Sequence, residues 1–346
     1  MQITKRDIRA LTKEQLRDFF VENGDKAFRG NQVYEWLWSK SAHTFEDMTN
    51  LSKETRAMLE ANFVINHIKV DTMQRSSDGT VKNAVRLHDD LIVDSVLIPT
   101  NTRTTACVSS QVGCSLDCNF CATARLKRMR NLQPDEIYDQ VVAIDKESRL
   151  YYNRPLSNIV FMGMGEPLMN YPNVFKAIDM ITSNEGLGMS PKRITVSTSG
   201  VSKMIKKMAD DEVKVKLAVS LHSAIEEIRN EIMPFTKSFP LTDLREALEY
   251  WYQKTKSKIT YEYVVWKGIN DNKESIDALV KFCKYVPCKV NLIEYNAIDD
   301  GDFQQASEQA TNDYINALER NGIVVKVRRS RGKDIDAACG QLANKS

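Results

Sequence analysis

Three cysteines, Cys114, Cys118 and Cys121, lie within eight residues in the stretch GCSLDCNFCATA. Thiols at this density are typical of a metal site, but a structural zinc site or an ordinary iron–sulfur cluster has four protein ligands. The C-x3-C-x2-C spacing therefore leaves one coordination position without a ligand from this loop.

An open coordination position can be used for chemistry. Three thiolates on one loop can hold three irons of a four-iron cluster and leave the fourth iron free for a small molecule. S-adenosylmethionine has the adjacent amino and carboxylate groups that such an iron could chelate. Electron transfer from the cluster would then cleave its carbon–sulfur bond and release a 5′-deoxyadenosyl radical, a cofactor-borne reaction that the surrounding protein controls.

Two alternatives use the same cysteines. One is a zinc site with Cys107 as the fourth ligand, and the other is a ferredoxin-like electron carrier. A carrier rarely needs a scaffold as large as the one predicted below. The motif MGMGEP, at the end of the next predicted strand, favours the enzyme.

The composition is that of a globular enzyme, with 346 residues, 42% hydrophobic and 27% charged. There is no run of about 18 apolar residues, and the start, MQITKRDIRALTKEQL, has no signal-peptide core. We therefore expect a cytoplasmic protein without membrane contact. In that reducing compartment the seven cysteines are expected to be thiols, metal ligands or catalysts. The net charge of +2 leaves any nucleic-acid contact to local patches.

The first two segments of the chain differ in pattern. Residues 1–70 are predicted to form a small helical accessory domain, with a capping box at Thr12 and Gln15 and a helix stop at Gly24. A nucleic-acid-docking role for this domain is the alternative. In residues 71–104 short apolar runs alternate with turn residues, which predicts a β-hairpin extension leading into the core.

Residues 105–346 alternate strand and helix patterns through about six units, which indicates an α/β fold with a parallel sheet. We predict a partial (β/α)6 barrel rather than an open doubly wound sheet. The cysteine loop and the motifs MGMGEP, STSG, SLHS and YNA all follow predicted strands. In such folds the carboxyl ends of the strands carry the active site.

At the level of motifs, CSLDCNFC resembles the cluster motif of radical S-adenosylmethionine (SAM) enzymes. More narrowly, the chain from about residue 10 to 344 is similar to the RlmN/Cfr family of RNA methyltransferases, as its motifs ACVSSQVGCSLDCNFCATA, FMGMGEPLMN, RITVSTSG, AVSLHS, EIMPF, NLIEYNA and GKDIDAACGQLA indicate. The resemblance implies methylation of carbon 2 of adenine 2503 in 23S rRNA and of adenine 37 in tRNAs. The alternative is a Cfr-like enzyme acting on carbon 8 of the same rRNA adenine.

The resemblance also implies a two-cysteine mechanism, because an electron-poor adenine carbon cannot attack a methyl sulfonium. Cys339 first takes a methyl group from one SAM molecule, and a radical from a second then abstracts hydrogen from it. The carbon radical adds to adenine, a base removes the ring proton, and Cys107 attacks the Cys339 sulfur to release the product. The resulting disulfide must then be reduced.

The implied cofactors are one [4Fe-4S] cluster, held by Cys114, Cys118 and Cys121, and two SAM molecules per turnover. The implied partners are 23S rRNA, tRNA and an electron-donating reductant such as flavodoxin or ferredoxin, with the chain acting as a monomer. The residues implied to bind SAM are Gly165, Glu166, Ser197, Ser220, Leu221, His222 and Asn296. Taken singly, each of these residue types is more often an ordinary loop or structural residue.

Asp94 stands thirteen residues before Cys107, where the family commonly has a glutamate proposed as proton acceptor. Aspartate has the same acid chemistry with a shorter reach, so Asp94 is either this catalytic base or a solvated strand-end residue. Cys283 and Cys288 have no such context and are expected to be core residues.

Two basic clusters flank the predicted site and could neutralise RNA phosphates. A solvated charged face is the other interpretation of such runs. The clusters are Arg125, Lys127, Arg128 and Arg130, and Lys326, Arg328, Arg329, Arg331 and Lys333.

Overall fold

The computed structural model describes residues 5–299 and 301–344, and its N-terminal segment is mainly helical. The predicted capping box is confirmed, because the Thr12 side chain accepts the Gln15 N–H and the Gln15 side chain accepts the Thr12 N–H. The first helix ends just before Gly24, whose φ of +76° favours glycine. The elements here are β1 (Arg6–Asp7), α1 (Lys13–Glu22), α2 (Phe28–Trp38), α3 (Lys53–Asn62) and β2 (Phe63–Val64).

Three antiparallel strands follow and confirm the predicted hairpins. They are β3 (Lys69–Arg75), β4 (Val81–Arg86) and β5 (Ile92–Pro99). Strand β5 also pairs antiparallel with the first strand of the core, where Val96 lies opposite Cys107. The hairpins therefore extend the core sheet and place Asp94, on β5, near the strand that carries Cys107.

The core alternates strands and helices as predicted. Its elements are β6 (Thr104–Cys107), β7 (Gln111–Val112), β8 (Arg130–Asn131), α4 (Pro134–Tyr152), β9 (Asn158–Phe161), α5 (Tyr171–Thr182), β10 (Ile194–Thr198), α6 (Ser202–Asp210), β11 (Lys216–Ser220), α7 (Glu226–Ile232), α8 (Leu241–Thr255), β12 (Ile259–Val264), α9 (Lys273–Cys283), β13 (Cys288–Ile293), α10 (Glu308–Arg320) and β14 (Val324–Arg328). In the described part of the chain, the sheet order is β14-β13-β12-β11-β10-β9-β6-β5-β4-β3. Neighbours from β6 to β14 are parallel.

The parallel part of the sheet is strongly curved. Arg328, at the end of β14, places its Nη1 atom 3.7 Å from the sulfur of Met162, which follows β9. Five strand spacings of about 4.8 Å would separate these strands by about 24 Å in a flat sheet. The contact therefore requires curvature, and the predicted partial barrel is confirmed: six strand–helix units are followed by β14 in the described residues.

A buried ion-pair network joins the N-terminal segment to α4. The guanidinium of Arg9 lies 2.8 Å from Asp139 and 3.1 Å from Asp135, and Arg9 is only 5% exposed. The buried apolar core also continues from the N-terminal helices into the sheet. The division at residues 70 and 104 thus stays a prediction from the sequence. Among the described residues no helix has the length and apolar character to cross a bilayer.

Candidate active site at the carboxyl ends of the parallel strands

A cavity that is partly open to solvent lies at the carboxyl ends of the parallel strands, and its empty space, open solvent included, is about 1020 Å³. Most of the predicted site residues line it, namely Cys114, Cys118, Cys121, Gly165, Glu166, Ser197, Ser220, His222, Asn296 and Cys339. Of the described residues predicted for the site, Leu221, Cys107 and Asp94 are not in this lining.

The cysteine loop is held by hydrogen bonds to the end of helix α7 and the turn that follows it. The Asn119 backbone N–H donates to the Ile232 carbonyl at 3.0 Å, and the Asn119 side chain donates to the Glu231 carbonyl at 2.7 Å. The Asp117 carboxylate accepts the Phe235 N–H at 2.9 Å. These contacts hold the loop so that all three of its thiols face the cavity.

The three thiols form a soft donor set suited to an iron–sulfur cluster. Burial raises the pKa of Cys114 to about 11 and also raises the pKa values of Cys118 and Cys121, and the thiols influence one another electrostatically. Cluster binding would have to deprotonate them. Across residues 5–299 and 301–344, no set of three or more His, Cys, Asp or Glu side chains is arranged to hold a single metal ion.

An apolar wall surrounds the cysteine loop. Its buried members are Leu116, Cys118, Ile232, Met233, Val264 and Trp266. The Phe120 ring packs at 5.1 Å from Trp266 and 4.8 Å from His222, centroid to centroid. A hydrophobic shell of this kind excludes water and lowers the local dielectric around a cluster.

Glu166 is buried and held in one position by backbone donors. Its carboxylate accepts the Leu168 N–H at 3.0 Å and the Ser199 N–H at 2.8 Å. Burial raises the pKa of Glu166, while these donors lower it. The preceding Gly165 has a φ of +88°, and a Cβ there would lie 2.4 Å from the Gln111 side chain, so the MGMGEP turn requires glycine.

His222 is a neutral imidazole with a defined tautomer. Its Nδ1 atom accepts the Val264 N–H at 3.2 Å, which leaves the proton on Nε2. Burial, assisted by the positive charge of Arg229, lowers the pKa of His222 to about 3. His222 can therefore donate a hydrogen bond into the cavity without carrying charge.

Arg229, on α7, is a site residue that sequence reasoning missed. It is fully buried, and its guanidinium donates to the Ser199 carbonyl at 2.7 Å and the Leu221 carbonyl at 3.2 Å. It thus fixes the loops that follow β10 and β11, and Leu221 contributes a backbone carbonyl to this arrangement while its side chain lies in the core. Its position just before the motif EIMPF was the available signal.

The two predicted catalytic cysteines lie in different environments. Cys339 is exposed at the cavity, and its carbonyl accepts the Asn296 side-chain N–H at 3.1 Å. Cys107 is buried at the end of β6. Burial raises the pKa of Cys107 to about 12, with the Cys339 thiol acting in the same direction and the Arg328 guanidinium in the opposite one. The thiols are therefore near enough to interact electrostatically.

Several basic residues proposed for RNA contact form ion pairs with carboxylates of the same chain. Arg328 lines the cavity and lies 3.2 Å from Glu262, whose other oxygen accepts the Asn291 side-chain N–H at 2.8 Å. Because its side chain is also 35% exposed, its assignment to a phosphate-facing cluster stays a prediction. Arg130 pairs with Asp89 and Glu136, Arg331 with Asp78, and Lys333 with Glu294.

Asp94, Cys283 and Cys288 are not part of the described cavity lining. The Asp94 side chain is fully buried, so the solvated interpretation is wrong. Its Oδ2 atom accepts the Asn344 N–H at 3.0 Å, away from the described cavity lining, and its role as proton acceptor stays a prediction. Cys283 is buried and Cys288 partly buried, as expected of core residues.

The fold and the cysteine loop define a radical SAM enzyme. The sequence model of a protein family described as the radical SAM superfamily matches residues 108–283. A second model, the ribosomal RNA large subunit methyltransferase N-terminal domain, matches residues 6–65. A solved radical SAM methyltransferase from Sphaerobacter thermophilus is 35% identical, with a TM-score of 0.92 over 98% of this chain and 100% of that chain.

Curated relatives make the assignment narrower. A Flavobacterium psychrophilum protein called probable dual-specificity RNA methyltransferase RlmN is 87% identical over 345 residues, which are 100% of this chain and 99% of the relative. A Streptococcus thermophilus protein of the same name is 38% identical, over 99% of this chain and 89% of its own. The chain belongs to the RlmN family of dual-specificity RNA methyltransferases.

Proposed function

We propose that this chain transfers a methyl group from SAM to carbon 2 of an adenine in RNA, at adenine 2503 of 23S rRNA and adenine 37 of tRNAs. The observation that carries the proposal is the placement of Cys339. Its exposed thiol borders a cavity that the three thiols of the cysteine loop and Glu166 also line, while Cys107 lies buried nearby. The names of the relatives support RNA as the substrate.

The cavity residues divide into two groups by their chemistry. Cys114, Cys118 and Cys121 would hold a [4Fe-4S] cluster through three of its irons. The Glu166 carboxylate suits the ammonium of SAM, and the hydroxyls of Ser197 and Ser220 and the amide of Asn296 suit its ribose and carboxylate. When bound, the cluster and two SAM molecules per turnover would supply the methyl group and the radical, with flavodoxin or ferredoxin as electron source.

Cys339 is suited to carry the methyl group because its thiol is exposed at the cavity. A nucleophile must reach the methyl carbon of SAM and later the adenine ring, which a buried strand residue could not do. The Asn296 amide fixes its backbone carbonyl and so limits where the sulfur can go. The adenine would enter from the open side of the cavity, extruded from its stack.

Cys107 is suited to act once, at the end of the cycle. Its attack forms a bond between the two sulfurs as the bond between the Cys339 sulfur and the transferred carbon breaks. The electron pair of the broken bond stays on the transferred CH2 carbon, which takes up a proton to become the methyl group, while the ring proton goes to the base. The unpaired electron left by radical addition would have to return to the bound cluster, and a reductant must later reduce the disulfide. Burial raises the pKa of Cys107, and the positive charge of Arg328 acts in the opposite direction, toward the thiolate.

The direct test is mass spectrometry of nucleosides from anaerobic reactions with a 23S rRNA fragment and a tRNA. With SAM labelled on its methyl group, we expect labelled 2-methyladenosine from both RNAs and none with Cys339→Ala. Labelled 8-methyladenosine would instead indicate Cfr-like regiochemistry, and no labelled adenosine from either RNA would contradict the proposed function.

A further inference from the structure

The segment Cys339–Asn344, here called the tail strap, is held by hydrogen bonds to three separate parts of the molecule. The loop after β13 donates to Cys339, the cysteine loop donates to Gly340 and Leu342, and β5 contacts Asn344. The atoms are Asn296 Nδ2 to Cys339 O (3.1 Å), Ala122 N to Gly340 O (2.7 Å), Thr123 Oγ1 to Leu342 O (2.6 Å), Asn344 N to Asp94 Oδ2 (3.0 Å) and Asn344 Nδ2 to Ile92 O (2.9 Å).

The contact with Asp94 differs from the others in chemistry. It pairs a backbone N–H with a carboxylate, and a charge-assisted hydrogen bond of this kind is stronger than a neutral one. The Asp94 side chain is 0% exposed, and its second oxygen has no hydrogen-bond partner in the described residues. The Ala343 N–H and the Lys82 charge also favour the carboxylate, and in this buried site the loss of the Asn344 donor would still be costly, so Asp94 restrains Asn344.

The chain just before the tail strap is held as well, by the turn that joins β3 and β4. The Asp334 carboxylate accepts the Ser76 hydroxyl at 2.5 Å and the Ser77 N–H at 3.1 Å. The Asp78 carboxylate accepts the Gly332 N–H at 3.0 Å. The β3–β4 turn thus holds the chain by hydrogen bonds before the exposed cysteine, and β5 holds it after that cysteine.

Cys339 and Asn344 are five residue steps apart, a length of at most about 18 Å when fully extended. A fixed point at Asn344 therefore limits the region that the Cys339 sulfur can explore. On β5, Asp94 lies beyond the pairing of Val96 with Cys107, and its carbonyl accepts the Ser109 hydroxyl at 2.6 Å. The anchor is thus built into the same sheet that positions Cys107.

We propose that Asp94 is a positioning residue, which anchors the tail strap through Asn344 and so places the Cys339 sulfur at the cavity. This inference rests on the proposed function, in which Cys339 accepts the methyl group. An anchoring role for Asp94 and a role as proton acceptor affect different steps of the reaction. An anchor is needed before Cys339 is methylated, whereas a proton acceptor acts only after the carbon–carbon bond to adenine has formed.

The test measures methylation of Cys339 in a single turnover with SAM, reductant and no RNA, by mass spectrometry of the tail peptide. Asp94→Leu has a similar volume but no acceptor, and we expect the methylation rate to fall by about 10-fold or more, as misplacement of a reacting group does. Asp94→Asn keeps an acceptor oxygen and should retain a rate within about threefold of the unaltered chain, since only the charge assistance is lost.

The matched control is Ser95→Ala, the neighbouring buried residue on β5, whose hydroxyl has no hydrogen-bond partner in the part of the chain that is described. It should leave the methylation rate unchanged. If Asp94→Leu does not fold, Asn344→Pro provides the second test, because it removes the N–H donor and cannot adopt the φ of +55° found there. It too should slow methylation by about 10-fold.

Three outcomes separate the hypotheses. Slow methylation in Asp94→Leu or Asn344→Pro, with iron content and SAM cleavage retained, supports the anchor. Normal methylation in these variants overturns it, and an RNA-linked protein that accumulates in Asp94→Asn would then identify a proton acceptor. Absence of Cys339 methylation in the unaltered chain, under conditions where it cleaves SAM, would overturn both the anchor and the proposed function.

Discussion

Cys107 and Cys339 are held in place by two different kinds of structure. Cys107 lies at the end of β6, between two neighbouring strands, where it pairs with Val96 on one side and Val160 on the other. Cys339 lies in a segment without regular structure, which side chains and loop backbone from other elements hold one hydrogen bond at a time. The first thiol is 6% exposed and the second is exposed.

The difference matches the proposed roles of the two thiols. A carrier must meet two partners, SAM and RNA, and an exposed position at the cavity on a segment outside the sheet suits that role. A resolving thiol meets only the carrier, and a fixed position in the sheet suits that single encounter. The same contrast predicts which changes should have large effects and which should have small ones.

The largest effect is expected at the cysteine loop, on which both thiols depend. Replacement of Cys114, Cys118 or Cys121 by alanine should abolish the cluster and the formation of 5′-deoxyadenosine. The reconstituted unaltered chain should hold about four irons, from the three-thiolate cluster argument. Cys107→Ala and Cys339→Ala are the controls and should keep their iron. SAM cleavage by a variant in which Cys114, Cys118 and Cys121 are all replaced by alanine would refute the assignment.

A large difference in alkylation should separate the two catalytic thiols. With a pKa of about 12, about one Cys107 in 10⁴ is a thiolate at pH 8. Iodoacetamide should therefore modify the exposed Cys339 at least about 100-fold faster than Cys107 in the folded chain. The rate at Cys107 should rise about tenfold per pH unit until unfolding. Peptide mass spectrometry gives both rates, and equal reactivity at pH 8 would contradict the contrast in burial.

A smaller effect, on stability, is expected from His222 in the apolar wall. Its folded pKa of about 3 lies below its ordinary value, so the unfolded chain takes up a proton that the folded chain does not as the pH falls below about 6.5. The free energy of unfolding should thus fall by about 2 kcal/mol between pH 6.5 and pH 5 from this group alone.

The measurement is urea unfolding of the unaltered chain and of His222→Gln at both pH values. The variant should show a pH dependence smaller by that amount. If the free energy of unfolding has the same pH dependence in both proteins, His222 titrates normally. The apolar wall around the cysteine loop would then admit water.

The smallest effect is expected from a single contact of the tail strap. Thr123→Val removes the hydroxyl that donates to the Leu342 carbonyl, a loss of about 1 kcal/mol. Methylation of Cys339 should slow by about fivefold, since 1.4 kcal/mol corresponds to tenfold, and Thr123→Ser, which keeps the hydroxyl, should restore most of the rate. If Thr123→Val is as fast as the unaltered chain, the strap is held by its other contacts alone.

The strand–helix alternation and the location of the cavity could both be predicted from the sequence, because both depend on local pattern. Residues such as Glu166 and Asn296 lie in the loops that follow strands, and parallel strands bring their carboxyl ends together whatever their exact curvature. Motif and position along the chain were then sufficient to place these side chains in one cavity.

The failures arose where the outcome depends on contacts between distant segments. Arg328 stands in a run of basic residues, and nothing in that run indicates its ion pair with Glu262, 66 residues away. Asp94 resembles a strand-end aspartate, yet it lies in the buried part of β5 and accepts a hydrogen bond from Asn344, 250 residues further along the chain. A buried arginine such as Arg229 has no local pattern of its own. No periodicity or charge count contains that information.

The most direct test of the division of labour between the two cysteines is a denaturing gel of anaerobic reactions with labelled RNA. Cys107→Ala should accumulate a slowly migrating protein–RNA species linked through Cys339, because the link forms but cannot be resolved. Cys339→Ala and the double variant should show no such species and no methylated RNA. If Cys107→Ala accumulates no adduct while Cys339→Ala still methylates RNA, the two-cysteine account is wrong for this protein.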